Sequence, residues 1–175
     1  MFKNKSNKNK LVMLVTLALL VALEIVLARC LSVRTMDMTF SFGFIAVVTA
    51  AILYGPIAAG IVAALSDFLG AVLFPIGAYF PGFTLTACLT GVVFGLFLYK
   101  EQSFTRILGA TLVNQIFGSL LLNSFWLSVL YGSRTYFGYV AFRTPQFLIM
   151  TVVMVIVIGV VGTQLVPRIK TAMAR

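Results

Sequence analysis

The stretch FPIGAYFPGFT, residues Phe74–Thr84, lies between two long apolar runs and decides how the chain is organised. Its two prolines, Pro75 and Pro81, fix φ and remove a backbone donor, whereas Gly77 and Gly82 allow conformations closed to other residues. Such a segment is too stiff and too aromatic for an ordinary connection between helices. Rings on a rigid backbone at a membrane surface suit stacking against a flat ligand, so the stretch indicates small-molecule capture rather than chemistry.

The composition is that of an integral membrane protein. Of the 175 residues, 61% are apolar and only 10% are charged, against about 25% charged in soluble domains. The net charge of +9 does not indicate nucleic acid, because the basic residues lie at the ends of apolar segments. Histidine is absent, and Cys30 and Cys88 show no metal-ligand spacing. The sequence therefore predicts no metal and no cofactor, and it excludes most hydrolytic chemistry.

An all-α fold with six transmembrane helices is predicted, since a spanning helix needs roughly 20 apolar residues. The predicted helices 1 to 6 are Leu11–Ala28, Phe42–Tyr54, Pro56–Phe74, Phe83–Tyr99, Phe104–Leu130 and Pro145–Val166. They form a single domain, residues 11–175, after a basic tail, residues 1–10, that we expect to be disordered. The first run also resembles a signal peptide, but Arg29 beside the would-be cleavage site and the length of the run favour a helix.

The orientation follows from the lysines and arginines that flank the helices. One side of the membrane carries nine of these cations and the other carries four. The four are Arg29, Arg34, Arg134 and Arg143. Both termini are therefore predicted to be cytoplasmic, and the aromatic-proline loop faces outward with the helix 1–2 and helix 5–6 loops. The outer arginines can bind carboxylates or anchor phosphate head groups.

Two carboxylates fall within predicted membrane helices, where charges are retained for a reason. Asp67 lies eleven residues after Pro56, about 16 Å along helix 3. It can accept hydrogen bonds from an N–H-rich ligand, or it can serve an interhelical hydrogen bond or a pair with an arginine. For Glu24, a structural or snorkelling role is favoured.

Polar side chains on helices 5 and 6 converge on the same outer end. Helix 5 carries a stripe at spacings of four, four and three, and helix 6 begins with Arg143 and Gln146. The stripe consists of Gln115, Ser119, Asn123 and Trp126. Asn123 and Trp126 are expected to line the same pocket as Arg143 and Gln146, although amides in such bundles also bond neighbouring helices.

Small residues spaced four apart allow helices to approach closely. We expect the small residues of helices 3 and 4, among them Gly91 and Gly95 of helix 4, to pack within the bundle. Ala18 and Ala22 of helix 1 form a flat stripe that can instead face another membrane protein.

Several of these stretches together resemble the substrate-binding S components of energy-coupling factor (ECF) vitamin importers, most closely the folate-type members. The stretches are Arg29–Thr35, Phe40–Phe44, Ile52–Pro56, Ser66–Gly70 and Phe74–Thr84. The resemblance extends over essentially the whole chain, because the length, the six spans and the predicted cytoplasmic termini all agree. Its most specific element is the aromatic-proline loop.

The resemblance implies a six-helix S-component fold that binds one vitamin in an outward cavity beneath the three outer loops. It also implies a location in the bacterial cell membrane. The chain would dock on a membrane scaffold subunit, which is driven by two cytoplasmic ATPases. Ala18 and Ala22 match the A-x-x-x-A pattern by which helix 1 of this family contacts the scaffold. No G-x-x-x-x-G-K-[ST] motif occurs in the chain, so ATP would be hydrolysed by the partners.

The folate-type resemblance agrees with the residues. Tyr79, Phe80, Phe83 and Trp126, with Pro81 between them, would sandwich the rings. Asp67 or Asn123 would pair with the pterin edge, and Gln146 is a further contact. Arg29, Arg34 or Arg143 would bind the glutamate carboxylates. Another vitamin, a self-sufficient transporter and, least favoured, a membrane enzyme remain as alternatives.

Overall fold

The computed structural model describes residues 2–34, 39–75, 78–132, 134–165 and 169. Within these residues the chain forms six helical rods and a short hairpin of strands β1 (Ser32–Arg34) and β2 (Thr39–Ser41), which pair antiparallel. Helices 1 to 4 are Phe2–Arg29, Phe44–Tyr54, Pro56–Leu73 and Pro81–Leu98. Helix 5 runs continuously over Phe104–Tyr131. Helix 6 comprises Tyr136–Val160 and continues in a π-helical turn, Val161–Leu165.

In the described part of the chain, five of the six helices are long and apolar enough to cross a membrane, and helix 2 is shorter. Helix 2 has eleven residues, about 16 Å, which is roughly half of the hydrocarbon thickness. All seven residues from Ala46 to Ile52 are buried. Helix 2 is therefore the centre of the bundle, packed between helices 1, 3 and 4, which explains why it is apolar all round.

Helix 1 begins earlier than predicted. It starts at Phe2, so the basic segment predicted as a disordered tail is helical. The 28 residues of helix 1 measure about 42 Å, whereas the hydrocarbon core is about 30 Å thick. The helix is thus long enough for its first turns, with their lysines, to project beyond the core.

The predicted end of helix 2 at Tyr54 and start of helix 3 at Pro56 are confirmed. Gly55 between them has a φ of 87°, and its N–H donates to Ala51 O over 3.0 Å, which ends helix 2. Pro56 then occupies the first turn of helix 3, where its fixed φ and missing N–H carry no penalty.

Three further helix starts differ from the prediction. Helix 2 begins at Phe44 rather than Phe42. Helix 4 begins at Pro81 rather than Phe83, because proline at the first helical position is preorganised and the preceding Phe80 is held extended. Helix 6 begins at Tyr136, nine residues before Pro145, which lies inside it. The missing N–H of Pro145 frees only the carbonyl of Ala141, four residues earlier, and interior prolines of this kind are tolerated in membrane helices.

Helices 3 and 4 form the most extensive contact in the bundle. A Cβ atom at Gly91 would collide with the backbone of Ala59, and one at Gly95 would collide with the backbone of Pro56. The predicted packing of the helix 4 glycines within the bundle is therefore confirmed, and the structure shows that helix 3 is their neighbour.

Gly95→Ala is expected to destabilise the protein, because the added methyl group forces two helix backbones apart. Overpacking of this kind typically costs about 1–3 kcal/mol. The matched control is Gly159→Ala in helix 6, where a Cβ atom meets nothing within 4 Å. Thermal unfolding in detergent should show a lower midpoint for Gly95→Ala alone. Equal midpoints for the two variants would contradict the packing described here.

Candidate functional site

A cavity of about 720 Å³ opens among the helices, beneath the β1–β2 hairpin and the helix 3–4 loop. Its wall draws residues from all six helices, from β2 and from the aromatic-proline loop. The volume falls within the usual range for small-molecule pockets. The cavity therefore lies where the sequence predicted the polar and aromatic residues of the outer end to converge.

Two arginines belong to the cavity wall. Arg143 on helix 6 is only 7% exposed. Arg29, the last residue of helix 1, is half-buried and its Nη2 donates to the main-chain oxygen of Asp67 over 3.5 Å. Each guanidinium carries five N–H donors in a planar fork, which suits carboxylates. The predicted Arg34 lies in β1, but its side chain is outside the part that the structure describes.

Asp67 and Tyr79, both predicted site residues, are joined by the hydroxyl group of Thr84. Thr84 Oγ1 donates to Asp67 Oδ2 over 2.7 Å and lies 3.1 Å from the hydroxyl oxygen of Tyr79. Because the single hydrogen of Thr84 goes to the carboxylate, Tyr79 donates at its end of this chain. Asp67 thus makes the interhelical hydrogen bond that was one of its two predicted roles, while its side chain still lines the cavity.

Of the four aromatic residues predicted for the site, three line the cavity, Tyr79 among them, and the fourth supports the lining. Phe80 and Phe83 line the cavity and meet edge to face at 6.3 Å between ring centroids. Trp126 is not part of the lining. It packs behind Phe80 at 5.4 Å, and its Nε1 donates to Thr86 Oγ1 over 3.0 Å. Pro81 is exposed and begins helix 4, so it shapes the loop without facing the cavity.

The position of Trp126 follows from the centre of helix 5. Residues Asn114–Leu122 are π-helical, so each turn holds more residues than the 3.6 of an α-helix. Asn114, Gln115, Ser119 and Asn123 all line the cavity. Beyond this stretch the helix has rotated, and Trp126 meets helix 4 instead.

Gln146 connects the cavity wall to the hairpin. Its Nε2 donates to the main-chain oxygen of Thr39 in β2 over 2.7 Å. A carbonyl oxygen can only accept, so this bond fixes which end of the amide is nitrogen. Its Oε1 and the Oδ1 of Asn123 are buried and have no hydrogen-bond partner among the residues described.

Several lining residues were not predicted as site residues. Glu24 lines the cavity, and a Cβ atom at Gly43 would lie 2.7 Å from its Oε1. Met150 and Met154 line it as well. The signal for the methionines was present in the sequence, because they continue the Arg143–Gln146 stripe at a spacing of four.

In the described part of the chain, no group of three or more acidic or cysteine side chains could hold a metal ion.

The helices and the cavity together define a multi-pass membrane protein with an internal cavity lined by polar and aromatic side chains. A family model described as "ECF-type riboflavin transporter, S component" matches residues 8–171. The chain therefore belongs to this family of transporter S components.

Individual relatives agree on the family but carry a different vitamin in their names. A folate transporter FolT from Clostridium novyi is 43% identical over 124 residues, 70% of this chain and 72% of the relative. A folate transporter FolT from Leuconostoc mesenteroides is 33% identical over 149 residues, 83% of this chain and 80% of the relative. A solved structure, "Crystal structure of FolT bound with folic acid", matches with a TM-score of 0.82 at 33% identity. That match covers 87% of this chain and 95% of the solved one.

Proposed function

We propose that the chain is the folate-binding subunit of an ECF-type importer, which captures folate from outside the cell. The observation that carries the proposal is the burial of Arg143 in the cavity wall, with Arg29 as a second guanidinium of the same wall. Folate has two carboxylates on its glutamate tail, and planar guanidinium groups bind carboxylates through paired hydrogen bonds. The names of the two relatives and the folic acid in the matched structure support the same ligand.

The rest of the lining suits the rings of folate. Phe80 and Phe83 offer aromatic faces to the pterin and aminobenzoate rings, and Tyr79 borders them. Asp67 and Asn123 would accept hydrogen bonds from the amide and amino edge of the pterin. Trp126 contributes by supporting Phe80 from behind. Arg34 remains a proposed carboxylate ligand, and Gln146 a contact at the hairpin.

Riboflavin is the second candidate ligand, because the matching family model carries its name. Riboflavin is also flat and aromatic, but it has no carboxylate. The lining balances two arginines against the carboxylates of Glu24 and Asp67. A ligand with N–H donors at one end and carboxylates at the other has groups complementary to all four side chains, whereas riboflavin has no carboxylate for a guanidinium group to bind. Folate is therefore favoured.

The proposed partners are a membrane scaffold subunit and two cytoplasmic ATPases, as the family membership suggests. Ala18 and Ala22 are exposed on helix 1, consistent with a flat surface for the scaffold. The proposed location is the plasma membrane of a bacterium, with both termini in the cytoplasm, since nine of the flanking cations fall on that side.

Calorimetric titration of the purified protein in detergent tests the ligand. Folate should bind at least about 100-fold more tightly than riboflavin, a difference of about 2.8 kcal/mol. The dimethyl ester of folate is the matched control, because it keeps both ring systems and removes both negative charges. Equal affinity for folate and its diester, or tighter binding of riboflavin, would contradict the proposed role of the arginines.

A further inference from the structure

The guanidinium group of Arg29 lies directly on the backbone of helix 3 at Gly70. A Cβ atom at Gly70 would be 2.8 Å from Nε, 3.0 Å from Nη2 and 3.3 Å from Cζ of Arg29. From this position Nη2 reaches the main-chain oxygen of Asp67, one turn earlier on helix 3. The absence of a side chain at residue 70 is therefore what lets the guanidinium rest here.

Any larger residue at this position must move the guanidinium. Ordinary contact with a Cβ atom begins at 3.4 Å, so a contact of 2.8 Å would lengthen by about 0.6 Å (3.4 minus 2.8) to become an ordinary one. Binding groups generally have to be held to within about 0.5 Å of their productive positions. The displacement is therefore large enough to misplace a carboxylate ligand.

We propose that Gly70 is a positioning residue that sets the affinity for the ligand's carboxylates by holding Arg29 against helix 3. The inference rests on the proposed function, since it assigns Arg29 to a carboxylate of folate. Gly70 itself touches no ligand in this account. Its role is to leave open the place that the guanidinium occupies in the cavity wall.

Gly70 differs from the glycines that hold the bundle together. A Cβ atom at Gly91 or Gly95 would meet backbone atoms, whereas at Gly70 the atoms nearest to it are the end of one flexible side chain. That end can move without disturbing the helices. Alanine also favours a helical backbone more than glycine does. Gly70→Ala should therefore leave the unfolding temperature unchanged or raise it while it weakens binding, and a merely structural glycine cannot show this combination.

A double-mutant cycle tests the inference, with folate titrated calorimetrically into wild type, Gly70→Ala, Arg29→Ala and the double variant. Thermal unfolding of each is measured alongside, and Gly159→Ala is the control, because a Cβ atom at this helical glycine would meet nothing within 4 Å. We expect Gly70→Ala to weaken folate binding about 10-fold, a change of about 1.4 kcal/mol. The double variant should bind as Arg29→Ala alone does, because two changes that act through one group do not add. With the folate diester, Gly70→Ala should have no effect.

The outcomes separate the two claims. If wild type fails to bind folate, the proposed function and this inference both fall. If wild type binds but Gly70→Ala binds equally well, only the positioning role is overturned. The same holds if Gly70→Ala unfolds the protein, if its loss adds in full to that of Arg29→Ala, or if the diester shows the same loss as folate.

Discussion

Replacing Arg143 by glutamine is expected to weaken folate binding by about two orders of magnitude. Arg143 is 7% exposed and belongs to the cavity wall, so a carboxylate that it binds has exchanged its water for the guanidinium. Removing one partner of a buried, hydrogen-bonded charge pair typically costs about 2–5 kcal/mol, and about 2.8 kcal/mol corresponds to 100-fold. Calorimetric titration of the variant with folate in detergent measures the change.

The matched control is Arg134→Ala. Arg134 is exposed and lies over the ring of Phe142, with Cζ 4.2 Å from the ring centroid, near the same end of helix 6. Arg134 is not among the cavity-lining residues, so its removal should leave the affinity within a factor of two or three, as for other exposed charges. Equal losses in the two variants would mean that the net charge of the outer surface, rather than the buried guanidinium, determines binding.

Asp67→Asn is expected to weaken folate binding by about 10- to 100-fold. Asparagine has nearly the same shape and keeps an oxygen that can accept the hydrogen bond from Thr84, but it removes the negative charge. A hydrogen bond to a charged group is worth about 1.5–3 kcal/mol, and this is the contribution that the pterin N–H groups would lose. The measurement is the same titration, with thermal unfolding as a check that the bundle is intact.

Thr84→Val is the companion variant that separates the two roles of Asp67. It removes the donor to Asp67 Oδ2 and leaves the carboxylate charge in place. We expect a smaller loss of affinity than for Asp67→Asn, together with a lower unfolding temperature. If Asp67→Asn instead binds folate as wild type does, the carboxylate serves only to tie helix 3 to helix 4.

The sequence was sufficient to predict that the protein is a membrane protein and to predict most of its helices. The length of an apolar segment and the residues of a turn can be read from the local sequence alone. Gly55 and Pro56 define their turn by conformational freedom and a fixed φ, which no tertiary contact has to supply. The starts of helices 4 and 6 were predicted wrongly, and in both cases the misleading residue was a proline. Pro81 begins a helix and Pro145 lies inside one, and proline alone does not distinguish these situations.

The site was predictable in its residues more than in its geometry. Asp67, Arg143 and Gln146 were found because polar side chains in apolar helices are few. Trp126 was expected in the lining because a period of 3.6 residues was assumed along helix 5. The π-helical residues Asn114–Leu122 break that period, and the amino-acid composition of this stretch does not predict a π-helix.

The hairpin was missed for another reason. Strands β1 and β2 have three residues each, too few for an alternating pattern to stand out from a polar loop. Their position is held partly by the bond from Gln146 to Thr39, a contact between residues 107 apart in sequence. For Glu24 a structural or snorkelling role was predicted. Only the packing of the bundle shows that this residue of helix 1 lines the cavity.

The measurement that bears most directly on the central claim is mass spectrometry of the small molecule that the gently purified protein retains. We expect to recover a folate, released on denaturation in a ratio near one per chain. We expect none from Arg143→Gln protein prepared in the same way. Recovery of riboflavin, or of any ligand without a carboxylate, from both preparations would contradict it.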